Sequence, residues 1–288
     1  MTDDTERYIS PEGFTVDCTL VQADKGTGVW NLIVQMDEGR EEKRSQIFHT
    51  PSAADVEPVI LLDTHTWISS FWVAPSRTIY ACDGFSLWRG SNNQFTQQRL
   101  SDRMIFKVWG LDEATVFVLG EEGLVLRSRG EAWEQISIPD TVRLSNIHGL
   151  SSKEIFAVGE RGAFWQLTGD IWTQIDINTN ANLLGVYVDG PGRVYVCGEN
   201  GICFRYESGS IVTFVTQPRR YTSVVRFRDN IYFGASGQGV DILQGQEVIP
   251  FKPNVFGQRL SAGDNLWSCG HNAFFRFDGN GWYRKSFK

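Results

Sequence analysis

Residues 116–136 read VFVLGEEGLVLRSRGEAWEQI. Two short apolar runs are joined by a tight Gly-Glu-Glu-Gly turn, a second turn follows, and Trp133 opens a third run. The pattern recurs at residues 155–175, IFAVGERGAFWQLTGDIWTQI, and at residues 194–214, VYVCGENGICFRYESGSIVTF. Gly120, Gly159 and Gly198 are spaced 39 residues apart, and Trp133, Trp172 and Ile211 keep the same step. A fixed period of this size carrying strand-like runs is the signature of a repeat architecture.

Working outward, residues 104–138, 143–177 and 182–216 are the clearest copies, and 66–100 precedes them. Residues 220–252 form a weaker copy in which GASGQG replaces the short turn, and 256–288 close the chain. Each copy offers roughly four strands rich in Val, Ile, Phe, Tyr and Trp, bounded by Gly, Asn, Asp or Ser. No segment sustains a helical period. Antiparallel blades repeated around a ring predict an all-β, seven-bladed β-propeller of four-stranded antiparallel blades. The alternative is six blades plus an N-terminal extension.

The last copy carries four strands of its own, so residues 14–65 are expected to form a separate, irregular first blade. Residues 1–13 read as a loose terminus and the charged run DEGREEKR, residues 37–44, as a solvated hairpin loop. The whole of 1–288 is then one domain, with six regular repeats over 66–288. An aromatic row, Trp72, Trp109, His148, Tyr187 and Phe227, falls once per copy and puts His148 in a packing slot. Trp133, Trp172 and Trp282 open outer strands and are expected to pack between blades.

At these residues the chain resembles the WD-repeat, YVTN and Asp-box group of propellers. The element of apolar strand, G-E-x-G, apolar strand, glycine turn and Trp, at 120–133 and 159–172, is similar to repeats common in bacterial propellers of that group. The Asp-box turn is degraded: SRGEAW at 128–133 lacks the aspartate and DGNGW at 278–282 keeps part of it. No WD dipeptide closes a blade. The resemblance implies a fold and no particular activity.

Composition narrows the function classes. The net charge of -7 opposes nonspecific nucleic-acid binding, which needs a basic surface. The acidic opening MTDDTERYIS is unlike a secretory signal, and no apolar run reaches the length of a membrane span. The five cysteines are scattered. Cys197 and Cys203 match Val158 and Phe164 of the sister copy, so they read as small buried apolar residues with free thiols in a reducing cytoplasm.

No catalytic set stands out. His49, His65, His148 and His271 lie in no recognised motif, and no His or Cys spacing suggests a metal. Arg219, Arg220, Arg226 and Arg228 form a local group that could serve a sialidase-like site or plain surface charge. In a propeller, the turns between second and third strands share a face with the inter-blade loops. This gathers Asp83, Glu121, Glu122, Glu160 and Glu199 at one rim with His271, while the loops add Asp140, Arg143, Arg219 and Arg220. An acidic rim would steer a basic protein partner by long-range attraction. The leading expectation is a non-catalytic, protein-binding, cytoplasmic propeller with no cofactor, in specific form an immunity protein capturing a bacterial toxin. The alternatives are a sialidase-like or lyase-like glycan-active or glycan-binding propeller, and an assembly factor.

Overall fold

A computed structural model describes residues 15–24, 28–37, 42–51, 57–271 and 273–286. Among them, 28 strands form seven separate four-stranded sheets, each with its strands in sequential antiparallel order. The protein is a seven-bladed β-propeller. Residues 1–13 and residues 38–41 of the loop expected over 37–44 lie outside the described residues, while Asp37 and Glu42 to Arg44 belong to the strands on either side, because the backbone pairing runs on through this charged stretch. The strands flanking that loop, Gly28–Asp37 and Glu42–Pro51, pair as a hairpin. The only helical elements described are two three-residue 3-10 turns, Glu160–Gly162 and Glu199–Gly201. No described helix is long and apolar enough to cross a membrane.

The inner strands are Thr15–Asp24, Ser70–Val73, Ile105–Asp112, Leu144–Gly149, Leu183–Gly190, Ser223–Phe227 and Arg259–Ala262. All seven contribute to the wall of a central bore. Antiparallel order then sends every second-to-third turn and every inter-blade connection to one face, here the upper face. First-to-second and third-to-fourth turns lie on the lower face.

Seven apolar clusters fill the seven blade interfaces. The largest joins Phe117, Leu119 and Val125 of blade 3 to Leu144, Ile147, Ala157, Trp165 and Trp172 of blade 4. Among the described residues the ring closes without exchange of a strand. Val21 and Val29 of blade 1 meet Trp267, Cys269 and Phe274 of blade 7. The exposed edge of an inner strand has no strand neighbour, so its N–H groups take side-chain acceptors from adjacent blades. Ser261 Oγ accepts from the Ala23 N–H at 2.8 Å, Ser223 Oγ from Leu260 at 3.1 Å, and Gln22 Oε1 from Val73 at 2.9 Å.

The three clear turns are superposable in their bonding. The Glu121, Glu160 and Glu199 N–H groups donate to the Met104, Arg143 and Asn182 carbonyls at 2.9, 3.0 and 2.9 Å. A Cβ on Gly120, Gly159 or Gly198 would lie 2.7, 2.3 or 2.2 Å from those same carbonyl oxygens, so only glycine fits. Glu122, Arg161 and Asn200 follow at φ 53, 55 and 57°. GASGQG is likewise a hairpin turn, closed by Ala235 N–H to the Gly239 carbonyl at 2.9 Å.

Cys82, Cys197, Cys203 and Cys269 are free and buried, with Cys197 opposite Cys203 on paired strands. The side chain of Cys18 lies outside the described residues. The aromatic row holds from Trp72 to Tyr187, all four side chains lining the bore. It slips in blade 6. There Arg226 stands opposite Ile231 and faces the bore, while Phe227 is turned into the interface with blade 7. The bore-facing position continues at a step of 39 from Tyr187 to Arg226, so the next aromatic in the strand, Phe227, lies one residue beyond the row and on the opposite face of the sheet.

Trp172 is buried, and its Nε1 donates to the Ile136 carbonyl of blade 3 at 2.7 Å. Trp172→Phe is expected to cost about 1 kcal/mol through the lost bond, and Trp172→Ala about 3–5 kcal/mol through the cavity. Urea melts read both directly. His148 sits between Trp109 and Tyr187 at ring distances of 5.8 and 4.9 Å, its Nδ1 accepting from the Val188 N–H at 3.0 Å. Burial, and then the positive charge of Lys107, push its pKa down to about 4. The unfolded chain therefore takes up a proton more readily. The contribution is fully present above pH 6.5 and is lost as pH falls towards 4. It amounts to at most about 3 kcal/mol. His148→Gln should flatten the stability difference between pH 7 and pH 4.5 in the same melts.

Candidate functional site

The upper end of the bore opens into a cavity of about 330 Å³. Its wall is built by the starts of the inner strands and by the second-to-third turns of blades 4 and 5. Of the residues singled out in the sequence, Glu160, Glu199 and Arg220 reach this mouth, joined by Arg143. Glu199 pairs with Arg220 at 3.5 Å and accepts from Asn182 Nδ2 at 3.0 Å. Arg143 lies over the Phe106 ring at 4.0 Å. Glu160 has no side-chain partner among the described residues.

The other expected rim residues are on the upper face but differ in what they do. Asp83 is a turn organiser: it accepts from Trp88 Nε1 at 2.7 Å, Gln97 Nε2 at 2.6 Å and the Ser86 N–H at 2.9 Å. Glu122 lies 3.7 Å from Arg103 and Asp140 3.3 Å from Arg161, so each carboxylate is partly neutralised. Glu121 is exposed. His271, in the turn of blade 7, packs its ring against Phe256 at 4.7 Å.

Arg219 faces inward. Its Nη1 reaches both carboxylate oxygens of Asp241 at 3.0 and 3.3 Å, and Tyr221 donates to the same carboxylate at 2.8 Å. The Asp241 side chain is fully buried. Burial raises its pKa, opposed by the Tyr221 bond and the Arg219 charge. Arg219 thus ties the connection after blade 5 to blade 6. Nothing in its sequence position distinguished it from Arg220, because alternation inward and outward in a loop follows no fixed period. The remaining two arginines of the local group are on the lower face: Arg226 is paired with Asp189, and Arg228 bonds the Asp278 carbonyl.

Two groups that the sequence reading passed over dominate the waist of the bore. Lys107 and Arg259, on the inner strands of blades 3 and 7, line both the upper cavity and the lower one. The Lys107 side chain is half-buried in the wall of the bore. Burial and the neighbouring Arg259 charge push its pKa down to about 8. Arg259 also has its pKa lowered, by burial. Its Nη1 donates to the Thr222 and Gln258 carbonyls at 3.2 and 3.1 Å. A signal existed in the sequence: a lysine inside the strand IFKVWG at a position where sister copies carry Asn146 and Leu184 or Gly185.

A second feature of the upper face is apolar. Phe85 and Met104 are 38% and 45% exposed, and Trp67 is 38% exposed. Phe85 and Met104 are adjacent, because Gly84 and Ile105 form a β-bridge between blades 2 and 3. Arg99 lies 5.1 Å over the Phe85 ring. Trp67 occupies the preceding inter-blade connection, with Lys43 5.8 Å from its ring.

No family model matches the chain, and no curated protein matches it in sequence. Solved structures do match in fold. Virginiamycin B lyase from Staphylococcus aureus aligns over 90% of this chain and 98% of its own, with a TM-score of 0.65 and 12% identity. The WD40 propeller domain of Doa1 covers 90% and 94%, at 0.67 and 7%. YCF48, in a structure bound to D1 peptide, covers 81% and 86%, at 0.59 and 16%. At these identities the likeness is one of fold: the chain is built as a repeat β-propeller similar to the WD40 and virginiamycin B lyase types.

Proposed function

We propose that this chain is a non-catalytic protein-binding propeller that docks its partner on the upper face. The observation that carries the reading is the exposed apolar pair of Phe85 and Met104, with Arg99, Arg103, Glu121 and Glu122 beside it and Trp67 exposed in the preceding inter-blade connection. Aromatic residues, methionine and arginine are the types enriched where proteins bind one another, and contiguous exposed apolar side chains cost solubility unless a partner covers them. Among proteins of this fold, YCF48 has been seen with a bound peptide and virginiamycin B lyase is an enzyme. The apolar group favours the first kind of use.

The finer form, a cytoplasmic inhibitor capturing a basic toxin, draws on the net charge of -7 and on Glu121 and Glu160. The free thiols of Cys82, Cys197, Cys203 and Cys269 suit a reducing compartment. Glu122 and Glu199 add less attraction, since Arg103 and Arg220 partly offset them.

A Phe85→Ser, Met104→Ser double variant should lose a partner that co-purifies stoichiometrically with the wild-type chain from its native host. Truncating anchors at the centre of an interface costs about 2 kcal/mol or more each, enough to empty the complex. The control is Ile171→Ser, which removes a still more exposed apolar side chain from the lower face. Charge reversal of Glu121 and Glu160 to Lys should slow capture and flatten its salt dependence if the partner is basic. Loss of the partner in the Ile171 control with retention in the double variant would place docking on the other face.

A further inference from the structure

The waist of the bore holds two cations with no carboxylate of a described residue paired to them. The upper cavity is lined by four cationic side chains, Lys107, Arg143, Arg220 and Arg259, against two carboxylates, Glu160 and Glu199. This excess of positive charge lies inside a chain whose net charge is -7. Glu199 is already engaged by Arg220 at the mouth. On the lower side, Asp189 is engaged by Arg226. Neither acid is a partner of the two cations at the waist. The Lys107 ammonium makes no hydrogen bond to any described residue. An ammonium has three donors and a guanidinium five, so Lys107 and the Nε and Nη2 of Arg259 present several unused donors to one space.

Charges held this way cost stability. Removal of a cation from bulk water is offset only by an opposite charge or by hydrogen bonds to the remaining donors. Packing alone gives no reason for a charge at Lys107, in a strand whose Ile105 and Val108 are fully buried. Preorganised cations with free donors, in a cavity screened from bulk solvent, are what recognition of an oxyanion requires.

We propose that the upper bore is a binding site for a small phosphate-bearing anion, with Lys107 and Arg259 holding the phosphate and Arg143 closing over it from the mouth. Two fixed positive charges match the charge of a phosphomonoester at neutral pH, which is about -1.5 to -2. A cavity of about 330 Å³ has space for the phosphate and a small organic group beyond it. The Arg143 guanidinium, resting on the Phe106 ring, is preset at the entrance. The site is separate from the apolar group at Trp67, Phe85 and Met104, so it stands or falls without the docking reading.

Calorimetry of the full chain in chloride-free buffer of low ionic strength tests it, with glycerol 3-phosphate and inorganic phosphate as the two probes. One saturable site is expected. Tighter binding of the ester assigns the outer part of the cavity to the organic group, and equal binding assigns the site to the phosphate alone. Lys107→Met should weaken binding by about tenfold or more, since a charge-assisted contact is removed. The same variant should melt at a higher temperature than wild type without ligand, because no hydrogen bond is lost and an uncompensated charge is gone. Lys107→Gln serves equally if the methionine variant does not fold. At pH 8.5, binding should take up protons, read as a dependence of the heat on buffer ionisation, because a bound anion draws Lys107 back to its charged form. Absence of saturable binding to both probes, or affinities within about twofold for wild type and both Lys107 variants, would overturn the proposal.

Discussion

The packing of one blade on the next is the contact on which everything else in this molecule depends. A four-stranded sheet has two faces rich in apolar side chains and cannot bury both alone. Each blade therefore borrows half its core from each neighbour, and the seven apolar clusters fall one at each interface. The arrangement has no end until the ring closes. Closure here rests on a small cluster around Val21, Val29 and Trp267, and on the bond from Ala23 to Ser261. No shared strand reinforces that seam. Among the described residues it is the interface with the fewest apolar side chains behind it.

The same constraint creates the bore. Seven inner strands meet around an axis with their free edges turned inward, and no eighth strand can satisfy them. Side chains take over that role: Ser70, Ser223, Ser261, Gln22 and His148 each accept from a neighbouring blade's backbone. Positions with this duty are polar for structural reasons. Among the described residues, Lys107 stands apart because its ammonium has no hydrogen-bond partner, and Arg259 because its charge is answered by carbonyl oxygens alone. Polar residues in the bore thus sort into those that complete the ladder and those that leave charge available.

The repeat was legible because its chemistry is local. Gly120, Gly159 and Gly198 are fixed by carbonyl oxygens where a Cβ would sit, so the spacing of the glycines is the spacing of the blades. The separate first blade and the packing role of Trp172 followed from the same alignment. The aromatic row slipped at Phe227 because the bore-facing position of that strand is held by Arg226, and its aromatic neighbour alternates to the other face. For the rim, the sequence placed Glu160, Glu199 and Arg220 at the bore mouth. It could not foresee that Arg219 turns inward to Asp241, or that Asp83 is occupied by Trp88 and Gln97.

By itself, then, the sequence determined the blade, its turns and the face on which the turns gather, and the structure decided for seven blades over six. These depend on alternation, glycine spacing and aromatic positions within about forty residues of one another. Only the tertiary structure decided which charges are free. Lys107 and Arg259 are 152 residues apart in the chain, and their meeting at the waist exists only once the ring is closed. Likewise, Gly84 and Ile105 bring Phe85 and Met104 together across a blade boundary. Whether a side chain is spent on a neighbour or left for a ligand is a property of distance in space, and no period in the sequence encodes it.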